Sequence, residues 1–428
     1  MPDGNHPVAV SSPRLYYGWF IVGVAFFANF MAVGSGFYVF NAFLEPLCRA
    51  HNWTRTQVNI APMLGTPIGL LGQFFIGSLV MRVGVRRLMV VGSLVSGTAF
   101  LLLFRVSSLW LFYLLYIMMY LGNGAYGGIV ANSAVSNWFV GRRGKALGIA
   151  TSGMSLSGAV LPLAAMFMIA DHGMITTATF IGIMIYTVAP LCWLVVVDWP
   201  EDKGLCPDGV GSTCLEKNGD NLGIAVGITS PCPPMTMDRY PGDDHQRWDF
   251  HRMVRTPAFW KVGISYGMTM IGVVGVMSQL KPRFVDVGFS DIHAMLLMAV
   301  TSLLGAAGKY IWGTLCDMFE SQKVAAALIL ANGIGLAAAL FAHSAAALVV
   351  FVCLFGFAMG GVMSTYPIIV ADLFGRDSFA SVYRFMMIFL ALQMAGFIIA
   401  GLSFDLAGSY TPAYVLFIII DLAAALLV

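Results

Sequence analysis

Long apolar runs separated by short polar punctuation make up most of the chain. Twelve such runs lie near residues 17–43, 56–80, 88–104, 108–137, 145–170, 174–197, 258–280, 291–316, 323–342, 345–370, 380–403 and 411–428. Each approaches the roughly 20 residues that cross a ~30 Å hydrocarbon core as an α-helix. The pattern predicts an all-α membrane protein with twelve transmembrane helices. The opening stretch "MPDGNHPVAVSSPRLYYGW" is polar and has no apolar core before Tyr16, so the first run is expected to be a true span and not a cleaved signal. From Asp198 to Thr256 the chain is charged and broken by "CPDGVGS" and "PCPPM", which divides it into a six-helix half at 1–197, a linker at 198–257 and a second six-helix half at 258–428. The linker's end, "RWDFHRMVRTPAFW", fits either an irregular tether or a short interfacial helix with Trp248, Phe250 and Met253 dipping into headgroups. The sequence stops inside the apolar run "LAAALLV", from which we expect a native tail beyond it.

Composition sharpens the class. The 428 residues are 59% hydrophobic and 10% charged, against roughly 25% charged in soluble domains. A net charge of +2 without a basic run gives no footing for nucleic acid. The seven Cys lack paired metal spacing, so reduced thiols and no metal are expected. No HExxH, Walker loop or paired membrane carboxylate is present, and the linker is too short for an ATPase domain, so the chain is read as a gradient-driven transporter without a cofactor and not as an enzyme. Lys and Arg distribute unevenly over the alternate ends of the runs. With the N-terminus in the cytoplasm, 17 fall inside, among them Arg14, Arg82, Arg86, Arg142, Arg143, Arg376 and Arg384, and five fall outside. The positive-inside rule then puts both termini in the cytoplasm, in a plasma membrane or a bacterial inner membrane.

The remaining cation of the 23 is Lys309, inside the apolar "AAGKYIWGTLCD". A charge at that depth costs a few kcal/mol on insertion scales and is kept mainly where it meets a cavity or partner. Ser302, Gly305, Lys309, Trp312 and Gly313 recur at helical spacing and predict one face of small residues around one cation. Lys309 is expected to hold an anion there; a snorkelling or internally paired lysine is the alternative. The segment also repeats: "GQFFIGSL" at 72–79 matches "GKYIWGTL" at 308–315, and "WFVGRR" at 138–143 echoes "LFGRD" at 373–377. Parallel six-span repeats with a substrate site between them near the midplane describe the major facilitator architecture.

The motif "GSLVMRVGVRR" (77–87) resembles the signature between the second and third helices of the major facilitator superfamily. "NWFVGRRGKALGIATSGMSLSG" (137–158), "YYGW" (16–19), "TPAFW" (256–260) and "FDLAGSYTPAY" (404–414) are similar to the monocarboxylate porter and oxalate/formate antiporter group. That resemblance implies carboxylate transport by alternating access, with Lys309 where the group usually has Arg. Lys is a point charge with less geometric control than a bidentate guanidinium. Position 305, where proton-linked members often carry Asp, is Gly. Lys309 is therefore the expected proton-coupling group. Proton and carboxylate travel together if the amine takes its proton with the anion, whereas a permanently charged carrier favours anion exchange. Gly148, Gly153 and Gly158 are expected to let helices approach and slide. Arg82, Arg86, Arg142 and Arg143 are gate candidates, with membrane-side anchoring as the alternative. Met81 replaces the acid of the first-half signature while Asp317 keeps it in the second, so two unequal gates are expected.

Polar residues that suit the pocket complete the set: Tyr38, matching a first-helix family tyrosine, Asn123 and Tyr126 at i, i+3, Tyr366 before Pro367, Tyr383 and Gln393 on one face, and Arg384. Each is open to ordinary interhelical bonding instead, and Arg384, near the cytoplasmic start of its helix, to snorkelling. We expect a monomeric secondary transporter of small monocarboxylates of the lactate or acetate type, a proton symporter; the alternative is a carboxylate antiporter. A multidrug or cation exporter would need a cavity carboxylate, and the nearest acid, Asp421, is on a peripheral twelfth helix. A transport-dead sensor would need an output domain.

Overall fold

The computed structural model describes residues 16–209, 248, 250–286, 288–340, 345–375 and 378–428. Arg14, Lys217, Arg239, Arg247, Arg376, Cys214 and Cys232, with most of the tail and linker, lie outside the described residues. The five described cysteines, Cys48, Cys192, Cys206, Cys316 and Cys353, are free thiols.

All twelve apolar runs are helical. The first half contains α1 (Gly18–Val33), α2 (Phe40–His51), α3 (Arg55–Val83), α4 (Val85–Leu103), α5 (Leu109–Tyr126), α6 (Gly128–Trp138), α7 (Arg143–His172) and α8 (Met174–Val195). The second half contains α9 (Phe250–Arg255), α10 (Pro257–Asp286), α11 (Asp291–Met318), α12 (Ser321–Leu340), α13 (Ala345–Phe374), α14 (Phe379–Phe389), α15 (Met394–Ala407) and α16 (Thr411–Leu427). Three spans are each two helices: α1 and α2 meet at a π-helical turn, Gly34–Tyr38, α5 and α6 at Gly127, and α14 and α15 at a 3₁₀ turn, Leu390–Gln393. Among the described residues, ten helical stretches are long and apolar enough to cross a membrane, and α16 and the Leu71–Val83 part of α3 are shorter apolar stretches. Several helices outrun the hydropathy pattern. α2 continues to His51 and α7 spans 30 residues, because backbone bonding persists past the hydrocarbon once polar side chains can reach water.

The break at Gly127 shows how such interruptions are tolerated. Gly128, at φ +50°, donates its N–H to Asn29 Oδ1 at 2.9 Å, and Asn29 Nδ2 donates to the Ala150 carbonyl at 3.0 Å. One buried amide thereby ties α1, α6 and α7 and leaves no freed donor in hydrocarbon.

The repeat read from sequence reappears as paired contacts. Gly72 of α3 faces Leu121 of α5, and Gly308 of α11 faces Phe357 of α13. Gly77 faces Arg384 of α14, and Gly313 faces Gly144 of α7. The two halves thus meet along two seams, α3 on α14 and α7 on α11. The second is backbone against backbone. A Cβ on Gly148 would sit 2.6 Å from the Lys309 carbonyl, one on Gly153 would meet the Phe26 carbonyl of α1, and one on Gly158 would sit 2.8 Å from the Tyr38 ring. The three glycines serve close approach.

Of the two readings left open for the linker's end, tether or short helix, a helix forms as α9, but it packs on protein. Met253 is buried, Trp248 meets Phe374 edge-on at 4.9 Å, and Arg252 lies over Trp248 at 4.7 Å. Neither Met253 nor Trp248 is free to enter headgroups; Phe250 remains exposed.

Candidate functional site

Lys309 lies in the α7–α11 seam, 4% exposed. Its Nζ donates to the Thr151 carbonyl of α7 at 3.0 Å. Among the described residues no carboxylate comes within ion-pair distance of it. An ammonium has three donors, and one is used. Around it the seam is small: a Cβ on Gly305 would lie 3.4 Å from Ser155 Oγ of α7 and 3.4 Å from the Gly356 carbonyl of α13. The expected face divides: Lys309 and Gly313 turn to α7, Gly305 sits between α7 and α13, and Trp312 packs on Gly361 and Phe357 of α13. Its indole Nε1 is buried without a partner.

The other candidates form separate groups. In the first half, Ser96 Oγ and Tyr126 Oη both donate to Asn123 Oδ1, at 2.6 and 3.0 Å, leaving Asn123 Nδ2 buried without an acceptor. Tyr38, half-buried, lies on Gly158. In the second half Tyr366 stacks on Tyr266 at 4.5 Å and meets Tyr383 edge-on at 5.7 Å, and its hydroxyl donates to the Met386 carbonyl at 2.6 Å. Tyr383 reaches across to Asn132 of α6. Arg384 stacks over Phe74 and Phe385, 5.3 and 4.6 Å from the ring centres, with Nε buried and unpartnered. Gln393 is half-buried in the turn between α14 and α15. Lys309 reaches Thr151 instead of any of these tyrosines.

A second set of contacts lies at the end of the bundle where α8 finishes and α10 begins, here termed the linker end. Asp317, in the last turn of α11, accepts from the backbone N–H groups of Gly144 and Lys145 at 2.6 and 2.7 Å, closing the exposed start of α7 with a charge of the right sign. Arg143 adds an ion pair to Asp372 of α13 at 3.3 Å. Both contacts cross between the halves. Met81 occupies the equivalent place in the other seam, where it brings no charge; it and Ala380 line a cleft of about 140 Å³ whose carboxylate, Asp198, follows the end of α8 and is bonded to the Arg86 N–H. Arg86 is committed within the first half: its N–H goes to Asp198 Oδ1 at 2.8 Å, a guanidinium N–H goes to the Trp193 carbonyl, and the guanidinium covers the Trp193 ring at 4.4 Å. Arg82 and Arg142 are exposed. Of the four arginines singled out from sequence, Arg143 is brought to the contact between halves by its side chain.

Thr151, Asp372, Asn132, Tyr266 and Asp208 were not singled out from the sequence. Asp208, in "CPDG", accepts from Val140 and Gly141 N–H at 2.9 and 2.7 Å and from Arg142 N–H at 3.2 Å, ordering the turn that leads into α7. A "PDG" turn beside a basic loop was the available signal.

The architecture defines an integral membrane transporter built from two six-helix halves. The family model described as "Major Facilitator Superfamily" matches residues 19–280, and the chain belongs to that superfamily. A second model, described as "Uncharacterised MFS-type transporter YbfB", matches residues 243–428. Comparison with curated proteins finds no match. Among solved structures, the human organic anion transporter MFSD10 (TETRAN) superposes with a TM-score of 0.70 at 14% identity, covering 96% of this chain and 99% of that one. A variant of the E. coli fucose:proton symporter FucP gives 0.70 at 14%, covering 95% and 98%, as does FucP in an outward conformation. At such identity the likeness is one of fold. The chain is a secondary transporter and not an enzyme.

Proposed function

We propose that the protein moves small monocarboxylates of the lactate or acetate type across the membrane by alternating access, with Lys309 holding the carboxylate and carrying the coupled proton. The observation behind this reading is a buried ammonium position in the seam between the halves, bonded to a single backbone carbonyl and, among the described residues, facing no carboxylate. Such a group is costly when empty and satisfied by one anion. The seam is closed by glycines packed backbone on backbone, so the anion would enter as α7 and α11 part. Linker and termini face the cytoplasm in this reading, supported by the 17-to-five distribution of Lys and Arg. Asp317 and Arg143 then form the cytoplasmic gate, and Tyr38, Asn123, Tyr126, Tyr366, Tyr383, Gln393 and Arg384 supply orientation as the cavity opens. The protein acts as a monomer.

Gly305 favours a second reading. Without an acid one turn from Lys309, a permanently charged carrier would return only with an anion bound, giving exchange of the oxalate/formate kind. Net uptake into proteoliposomes without internal anion separates the two. Acceleration by an inward proton gradient is expected, and uptake only when internal carboxylate is supplied would overturn symport. Absence of carboxylate uptake in both settings would overturn the substrate class.

A further inference from the structure

The transport reading leaves one buried acid unused. Asp421 is 1% exposed and lies about 15 Å along α16 from Thr411, near the middle of the span. Asn332, 0% exposed and at similar depth on α12, donates Nδ2–H to Asp421 Oδ2 at 2.8 Å. Two oxygens remain, Asp421 Oδ1 and Asn332 Oδ1, both buried and both without a donor.

Among the described residues, the helices packed on α16 place nothing charged against Asp421 to balance a carboxylate; Lys281 and Arg283 of α10 lie more than three turns beyond Tyr266. α12 presents Asn332 and Gly333, and its Lys323 is at the linker end, ion-paired to Glu320 at 3.1 Å. α10 presents Ser265, whose hydroxyl is taken by the Ala424 carbonyl at 2.8 Å; its Lys261 is exposed, and its Tyr266 bonds Thr365 on another face. α15 has no titratable residue before Asp405 in its last turn. On α16 itself the nearest titratable group is Tyr414, two turns away.

An unpaired carboxylate at such depth costs several kcal/mol, and the idle amide oxygen adds to that. One proton removes both costs: Asp421 O–H donates to Asn332 Oδ1 while Asn332 N–H donates to Asp421 Oδ2, closing a cyclic acid–amide pair. A hard metal ion would ask for about six oxygens, and two are on offer. We propose that Asp421 and Asn332 form a proton-binding site between the ninth and twelfth spans, separate from Lys309 and open to the lipid side.

A crevice of about 160 Å³ leads to the acid, lined by Ile329, Leu330, Gly333, Ile334, Ile418 and Leu422. Leu330, Ile334 and Leu422 are on the exposed outer face, so an apolar reagent dissolved in the bilayer can approach. Dicyclohexylcarbodiimide reads the proton directly. The acid adds across a C=N bond, its oxygen bonding the central carbon and its proton passing to nitrogen, with nothing lost; the acyl group then migrates to nitrogen as a stable urea. The full chain in lipid nanodiscs is treated at neutral pH and mapped by peptide mass. An adduct on Asp421 is expected, with or without sodium, and none in Asp421→Asn. That variant rebuilds the same two-bond ring with amides, so it should keep the wild-type melting temperature, whereas Asp421→Leu should lower it. No adduct on Asp421, protection of Asp421 by sodium, or an Asp421→Asn melting temperature as low as that of Asp421→Leu would each overturn the proposal.

Discussion

Replacing Asp317 with Asn changes one atom type at the contact where α11 meets the start of α7. The carboxylate accepts from both Gly144 and Lys145 N–H groups, whereas an amide offers one oxygen and turns an NH₂ towards the second donor. The variant loses a charge-assisted hydrogen bond, about 1.5–3 kcal/mol, and the interaction of a negative charge with the helix start, about 0.3–1 kcal/mol. Asp317 is exposed, so water and salt screen much of this and rescue the orphaned N–H. A net loss of about 1.4 kcal/mol is a realistic figure, equal to a tenfold shift towards the state open at the linker end. Ser155 reports that opening, being 5% exposed in the closed seam. In a background with native cysteines replaced, Ser155→Cys should react with a membrane-impermeant thiol reagent from the linker side about tenfold faster when Asp317→Asn is added. Met81→Ala should leave the rate unchanged, since Met81 contributes no charge to the other seam. Equal acceleration by both substitutions, or none by Asp317→Asn, would refute the account of unequal gates.

Lys309→Gln is expected to abolish carboxylate binding in a protein that still folds, and Lys309→Arg to keep part of it; isothermal titration in detergent checks both, and unchanged affinity in Lys309→Gln would remove the binding role. Gly148→Ala places a methyl 2.6 Å from the Lys309 carbonyl, so the α7–α11 seam cannot close and linker-side labelling at Ser155→Cys should rise with transport reduced. Asn29→Ala orphans the Gly128 N–H and frees the Ala150 carbonyl; at about 1–3 kcal/mol per buried orphan, a clear fall in melting temperature is expected without a change in substrate affinity.

Which features were legible in the sequence follows from which ones leave a side-chain signature. The spans are legible because twenty apolar residues in a row have few other uses. The pairing of Gly72 with Gly308 and of Gly77 with Gly313 is legible as an offset, and it became two seams because equivalent glycines in two halves face equivalent neighbours. Lys309 stood out by cost alone. Its partner did not, since a backbone carbonyl such as that of Thr151 belongs to every residue. The error over Trp312 has a geometric origin: positions three and four apart spread over a wide arc, and α7 and α13 divide that arc between them. Asp208 and Asp372 were hidden because their partners, a run of N–H groups and an arginine 229 positions away, lie far from them in the chain.

The acids at the linker end also set an order of assembly. Asp198 and Asp208 satisfy Arg86, Val140, Gly141 and Arg142 N–H groups, and every one of those partners precedes residue 210. A nascent chain therefore holds both the start of α4 and the turn into α7 in place before α10 has left the ribosome. The N–H groups of Gly144 and Lys145 must wait, bonded to water at the membrane surface, for an acid synthesised 173 residues after Gly144. The first half then meets the second with several contacts still open, and Asp317 and Asp372 bring the acceptors for Gly144, Lys145 and Arg143.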